Sequence, residues 1–153
     1  MKKHIKKIAW FGLIIFLLMQ CYQPARNNSF EQYSSSNFTE TYKVPKNIET
    51  TLRTSCYDCH SNKTNYPWYS YIQPGAWFMV NHIDEGKKEL NFSEFGNYTK
   101  RTQKSKLKAI AGQIKSDKMP LFSYTFIHKN AILNKPQKEE IINWINTLDK
   151  DEN

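Results

Sequence analysis

Apolar residues recur at helical spacing in four segments of the chain, with polar residues on the opposite faces. The segments cover residues 46–55, 74–90, 102–116 and 134–148. Their apolar faces comprise Ile48 and Leu52, then Trp77, Val80 and Ile83, then Leu107, Ile110, Ala111 and Ile114, and finally Ile141, Ile142, Ile145 and Leu148. Because this period matches a helix and no segment has a convincing strand pattern, the sequence predicts an all-α fold.

The residues between these segments carry turn and capping signals. Pro74 suits the first turn of a helix, and Asn134 and Gln137 have the spacing of a capping box at the start of the last helix. Residues 65–74 contain two prolines among several aromatic residues, which indicates a loop. Residues 117–133 form a long connection, and such connections in small domains are often functional.

The N-terminal segment differs in composition from the rest of the chain. Residues 1–7 are basic, and residues 8–19 form an uncharged apolar run. This order is typical of a bacterial export signal whose positive flank stays in the cytoplasm. We therefore expect residues 1–22 to be a signal or membrane anchor that tethers a periplasmic domain to the cytoplasmic membrane. Alternatively, Cys21 is lipidated, although Gln20 stands where lipoproteins usually have a small residue.

Beyond the anchor the sequence predicts two further parts. Residues 23–43 are rich in Asn, Ser, Thr and Gln and lack an apolar period, which predicts a polar linker. Residues 44–153 form the folded domain, which is small for an all-protein core. The chain has nine Tyr, nine Phe and four Trp, and this suits packing around a flat cofactor as well as ordinary aromatic packing.

The charge limits the choice of partner. The formal net charge is +8, and four of the 22 basic residues are lysines within residues 1–7. The rest of the chain is therefore only mildly basic, which suits an acidic redox partner or an anionic membrane surface. Since no nucleic-acid motif accompanies this charge, we expect no binding to nucleic acid.

One motif indicates specific chemistry: Cys56-Tyr57-Asp58-Cys59-His60. In a covalent haem site, two thiols three positions apart bond to the two haem vinyl groups, and the histidine that follows binds the iron. The motif therefore predicts one haem c per chain, attached to Cys56 and Cys59, with His60 as the proximal iron ligand.

Other uses of the cysteine pair are a structural metal site, a redox pair and a plain disulfide. A zinc site needs a second pair of ligands at suitable spacing, and the remaining cysteine, Cys21, lies in the leader. A thioredoxin-like redox pair needs a preceding strand within a βαβ pattern, which the sequence lacks. The histidine that directly follows Cys59 favours haem.

The order of the elements resembles that of a small cytochrome c: a helix, the motif, further helices, a Met-Pro loop and a final amphipathic helix. The sequence more closely resembles the bacterial haem-binding domain family of exported, N-terminally anchored proteins. The matching stretches are residues 20–27, 56–62, 66–70 and 85–95, and Met119-Pro120 followed by Tyr124 and His128. The chain departs from the family pattern at Leu121 and Lys129, where prolines are usual. The resemblance implies haem binding more strongly than any physiological role.

The resemblance to cytochromes c also implies that a loop methionine occupies the sixth position of the iron. Met119 is that residue here, and its soft thioether suits low-spin haem iron. His82 and His128 are the alternative ligands. The competing interpretations are a buried loop anchor for Met119 and ordinary hydrogen-bonding or surface roles for the two imidazoles.

The sequence thus predicts an exported, membrane-tethered monohaem c-type cytochrome that transfers electrons with His60 and Met119 as iron ligands. The alternative is a haem-based sensor or small-ligand binder with an open or displaceable sixth position. We do not expect an enzyme, because a peroxidase needs a distal acid–base group and only His82 and His128 are candidates. The sequence identifies no particular redox partner.

Overall fold

The computed structural model describes residues 2–29 and 35–151, with side chains described up to residue 148. The α-helices of these residues are α1 (Lys2–Gln20), α2 (Phe38–Thr41), α3 (Lys46–Ser55), α4 (Tyr57–His60), α5 (Gly75–Glu89), α6 (Lys100–Lys115), α7 (Phe122–Ile127) and α8 (Lys135–Asp151). Short 3₁₀ helices cover Trp68–Tyr71, Phe92–Asn97 and Lys129–Ala131. Apart from an isolated bridge between Asn28 and Lys63, the described residues contain no β-structure. The predicted all-α class is confirmed.

The four predicted helices are present as α3, α5, α6 and α8. The capping box of α8 forms as predicted, because the side chains of Asn134 and Gln137 each accept the other's backbone N–H at 2.9 Å. Helix α6 begins at Lys100, two residues earlier than expected, because the hydroxyl of Thr99 caps it by accepting the N–H of Thr102 at 3.2 Å.

The two predicted connections contain short helices. The aromatic stretch 65–74 includes the 3₁₀ helix Trp68–Tyr71, which begins after Pro67. The long connection 117–133 includes α7, whose first turn forms when the N–H groups of Tyr124 and Thr125 donate to the carbonyl of Leu121. These helices are too short to produce a helical period that sequence analysis can detect.

The hydrophobic core lies between α3, α6 and α8 and the 3₁₀ helix Phe92–Asn97. It uses the predicted apolar faces of α3, α6 and α8, and each large buried side chain contributes on the order of 1.5–3 kcal/mol. Helix α5 differs from the prediction, because only Ala76 and Ile83 are buried there and Trp77 is exposed.

Part of the predicted linker packs into this core. Phe38 is 1% exposed, and its ring contacts Phe92, Phe95 and Trp144 with centroids 5.1, 4.8 and 5.8 Å away. The structure therefore differs from the expected polar linker over residues 23–43. Tyr42, four residues after Phe38, also packs against this core, but two apolar positions are too few to establish a helical period in a polar stretch. Residues 30–34 of that segment lie outside the described residues.

Helix α1 contains the predicted N-terminal apolar run, and none of its residues is buried. Within residues 2–29 and 35–151, no helix meets the length and hydropathy needed to cross a membrane. Met1, at the start of the predicted anchor, and residues 152–153, at the end of the predicted domain, lie outside the described residues.

Candidate haem site

The cysteine–histidine motif forms a single helical turn directly after α3. The N–H of Cys56 donates to the carbonyl of Leu52 at 2.8 Å and ends α3. The carbonyl of Cys56 then accepts the N–H groups of Cys59 and His60 at 3.2 and 3.0 Å. Residues three apart in a helical turn lie on the same side, so this turn holds the two partly buried thiols as neighbours.

The imidazole of His60 is fixed by the C-terminal end of α5. Its Nδ1 lies 2.8 Å from the carbonyl oxygen of Gly86 and 3.1 Å from that of Leu90. Because both partners only accept, Nδ1 carries the proton and donates it. The Nε2 lone pair is left without a hydrogen-bond partner among the described residues, which is the arrangement of a metal-binding histidine.

The backbones of α4 and α5 approach each other at Gly86. A Cβ atom at this position would lie 2.8 Å from the carbonyl oxygen of Cys59. Only glycine permits this contact without a backbone shift. The glycine thereby brings the carbonyls of α5 within reach of His60.

A cleft runs along the motif and has two lobes, with volumes of about 350 and 230 Å³. One lobe is bounded by α5 and the start of α7, and the other by α6. Both lobes are lined by Ser55, Cys56, His60, Glu89, Met119 and Pro120. Most of the exposed lining is apolar, so the cleft suits a large apolar ring system.

The structure places Met119 and one of the two alternative histidines on this cleft. Met119 follows α6 in the chain and lines both lobes. His82 lines the lobe beside α5, and its Nδ1 lies 3.0 Å from the carbonyl oxygen of Phe78. His128 instead lines a different cavity, where its Nε2 is hydrogen-bonded to the hydroxyl of Tyr69.

A hydrogen bond that sequence reasoning did not anticipate joins α7 to the motif. The hydroxyl of Tyr124 donates to Oδ2 of Asp58 at 2.7 Å, while Oδ1 accepts the backbone and side-chain N–H groups of Asn65. Tyr124 also lines the cleft and stacks on His128, with ring centroids 4.3 Å apart. This contact holds the segment that follows Met119 against α4.

Burial shifts the pKa values of Cys56, Cys59 and His60 in the direction that favours their neutral forms. Burial raises the pKa of the Cys56 thiol to about 12, and burial together with the Asp58 carboxylate raises the pKa of Cys59 to about 11. The reactive thiols of redox pairs have lowered pKa values instead, so these two thiols differ from such a pair. Burial lowers the pKa of His60 below its ordinary value, although its two carbonyl partners act in the opposite direction, so the imidazole is neutral at pH 7.

The donor set around the cleft fits a haem group. One largely apolar cleft is lined by two adjacent thiols, a thioether and an imidazole whose Nε2 lone pair is available. No disulfide joins Cys56 and Cys59, so both sulfurs are available for bonds to another group. Within the described part of the chain, no group of three or more His, Cys, Asp or Glu side chains is arranged to hold a metal ion.

Comparison with known proteins identifies the family of this chain. Neither the curated proteins nor the solved structures that were searched contain a match. The model of the haem-binding domain family matches residues 14–147, which include every residue that lines the cleft. The chain therefore belongs to the haem-binding domain family and is a haem-binding protein.

Proposed function

We propose that the protein is a monohaem c-type cytochrome that transfers electrons at the periplasmic face of the cytoplasmic membrane. In this proposal Cys56 and Cys59 bind one haem through thioether bonds, and residues 1–22 tether the domain to the membrane or, through Cys21, to a lipid anchor. The haem supplies one-electron chemistry at its iron. The acceptor or donor protein is not assigned.

The observation that carries this proposal is that the four residues of the expected donor set line one cleft. Cys56, Cys59 and His60 lie side by side in one turn, and Met119 lines both lobes of the same cleft. The protonated Nδ1 of His60 directs Nε2 toward coordination. His60 and Met119 would therefore be the two residues that bind the haem iron.

The surroundings of the two alternative ligands differ. His128 does not line the cleft and is engaged by Tyr69 and Tyr124, which argues against a role as iron ligand. His82 lines the cleft and remains the rival of Met119. The proposal assigns no catalytic residue to the chain.

A sensor or small-ligand binder is the second candidate, and the weak anchoring of Met119 favours it. The N–H of Met119 donates to the carbonyl of Gln113 over 3.4 Å, near the limit of a hydrogen bond, and the residue lies between α6 and α7 rather than within a helix. A ligand on such a segment is more easily displaced from iron than one on a packed helix.

Absorption spectra of the exported holoprotein test the ligand assignment. We expect a low-spin spectrum with an iron–thioether band that disappears in Met119→Ala and persists in His82→Ala. If the band persists in Met119→Ala, Met119 is not the ligand.

Carbon monoxide separates the two candidate functions. An electron carrier with both axial positions filled should react with it slowly or not at all in the reduced state. Rapid stoichiometric binding to the wild-type protein would support the sensor and contradict the electron carrier.

A further inference from the structure

An exposed apolar patch lies where the N-terminal segment meets the folded domain. It consists of Tyr22, Trp68, Tyr71, Ile72 and Trp77, whose exposed fractions range from 41% to 76%. Trp68 and Tyr71 are three residues apart in a 3₁₀ helix, where such positions lie on the same side. Tyr22 and Trp77 line one surface groove. Exposed aromatic clusters of this kind indicate a contact surface rather than ordinary solvent-facing residues.

Hydrogen bonds hold this patch beside the end of the apolar helix α1. The side chain of Gln20, the last residue of α1, accepts the N–H of Gln73 at 2.9 Å and donates to its carbonyl at 3.4 Å. Gln73 is 3% exposed, and its side chain donates to the carbonyl of Tyr22 at 2.8 Å and accepts the N–H of Trp77 at 3.2 Å. A buried amide with its partners satisfied fixes the relative position of the segments that it joins.

A second contact brings a positive charge to the patch. The guanidinium of Arg26 lies 3.5 Å from the ring centroid of Tyr71, and the side chain of Gln23 donates to the carbonyl of Tyr71 at 3.2 Å. Trp and Tyr are enriched at the headgroup level of membranes because their rings combine an apolar body with a polar tip. A cation beside them suits the phosphate groups at the same depth.

We propose that this apolar patch rests on the headgroup region of a phospholipid bilayer and seats the domain directly on the membrane. The inference rests on the tethering included in the proposed function, since it requires the apolar run of α1 to lie in the bilayer. The patch begins two residues after the end of α1, and Gln20 and Gln73 join the two. The tether therefore delivers the patch to the membrane surface, instead of holding the domain away from it.

Seating the patch on the membrane also fixes the direction in which the cleft opens. Trp77 belongs to the patch, whereas His82 on the same helix lines the cleft. Five residues along a helix correspond to about 140° around its axis. With the patch against the lipid, the cleft opens away from the membrane and stays accessible to a partner.

Quenching by brominated lipids tests this arrangement in the full-length holoprotein. The four tryptophans are Trp10 in α1, Trp68 and Trp77 in the patch, and Trp144 against Phe38 in the core. Vesicles of phosphatidylcholine and phosphatidylglycerol, with bromine near the headgroups, quench only those indoles that reach the lipid. Haem quenches the indoles in both kinds of vesicle, so for each variant the emission in brominated vesicles is compared with the emission of the same holoprotein in unbrominated vesicles.

Three variants separate the quenching of the indoles in α1, in the patch and in the core. Trp10→Phe leaves the patch and core indoles, and Trp10→Phe with Trp68→Phe and Trp77→Phe leaves the core indole alone. Trp68→Phe with Trp77→Phe leaves α1 and the core. Each change keeps an apolar ring at an exposed site, and Trp144, which packs in the core, stays in every variant.

If the patch lies in the lipid, the Trp10→Phe variant should lose emission in brominated vesicles, because Trp68 and Trp77 then lie at headgroup depth. The triple variant should be unaffected by bromine. If the two variants have the same ratio of emission in brominated to unbrominated vesicles, the inference is overturned. That result is expected if a protein partner or a second copy of the chain covers the patch. Quenching of Trp10 in the double variant shows separately whether α1 is inserted, so failure of the tether is distinguished from failure of the patch.

Discussion

His60 and Met119 line the same cleft, but the chain around them is held in place in different ways. His60 lies in a helical turn, donates to two carbonyls of α5 and sits where the backbones of α4 and α5 meet at Gly86. Met119 lies between two helices, with a long backbone hydrogen bond and the link from Tyr124 to Asp58 nearby. In the proposed haem protein, His60 would lie on a rigid proximal side and Met119 on a more adjustable distal side, so we expect ligand exchange on the distal side.

The largest effect is expected where the core supports the proximal side. Phe38 packs on Phe92, which in turn stacks on Tyr57 of the motif with centroids 4.8 Å apart. Phe38→Ala should lower the free energy of unfolding by about 3–5 kcal/mol, because it leaves a cavity in the core. Urea unfolding checks this, and Phe122→Ala is the matched control, since that ring is 79% exposed. Equal stability of the two variants would contradict the assigned packing.

A smaller loss is expected from closing the gap between α4 and α5. In Gly86→Ala the new Cβ meets the backbone of Cys59, which should cost about 1–3 kcal/mol of stability and reduce the yield of attached haem. Beyond its own stretch of α6, Gly112 has no described atom within 4 Å of its Cβ position, so Gly112→Ala should raise stability by about 0.4–1 kcal/mol. If Gly86→Ala behaves like this control, the close approach does not position His60.

On the distal side we expect a modest change in stability and a clear change in ligand exchange. Tyr124→Phe removes the hydrogen bond to Asp58, which should cost about 1 kcal/mol. Because the segment after Met119 is then held less firmly, carbon monoxide should bind the reduced protein faster, which stopped-flow absorption measures. Tyr71→Phe, which alters a hydroxyl outside the cleft, should leave the rate unchanged. A wild-type rate in Tyr124→Phe would show that this link does not restrain the distal ligand.

The smallest effect concerns the protonation of His60 in the chain prepared without haem. Burial lowers the pKa of this imidazole in the folded state, so the unfolded state binds the proton more readily. The contribution of the neutral His60 side chain to the free energy of unfolding is therefore fully present above about pH 6.5. It is lost as the pH falls through the folded-state pKa of His60. His60→Gln should remove this pH dependence in urea unfolding, whereas His82→Asn should retain it. An unchanged profile in His60→Gln would contradict the assigned burial.

The sequence was sufficient to predict the elements with a repeating signal. The four longer helices after residue 43 and the capping box of α8 follow from local spacing, which is independent of the rest of the fold. The family match likewise confirms the haem-binding prediction that the five-residue motif made.

Features that depend on distant parts of the chain were not predictable in this way. The bond between Tyr124 and Asp58 joins residues 66 positions apart, and the role of Gly86 appears only when α5 lies against α4. Phe38 and Tyr42 are the core-packing rings of a largely polar stretch, and one pair at helical spacing is too short a signal to predict burial. Trp77 fits an apolar helical face by spacing, yet it is 53% exposed, whereas Ile83 on the same helix is buried.

The central claim is that Cys56 and Cys59 hold one haem covalently beside His60, and the intact mass of the denatured protein tests it most directly. The protein should be produced with the haem-attachment machinery, exported, and measured after denaturation in acid, beside Cys56→Ala/Cys59→Ala as the control. We predict that the wild-type chain is heavier than its polypeptide by one haem and that the control is not. A wild-type mass equal to that of the bare polypeptide would contradict the account.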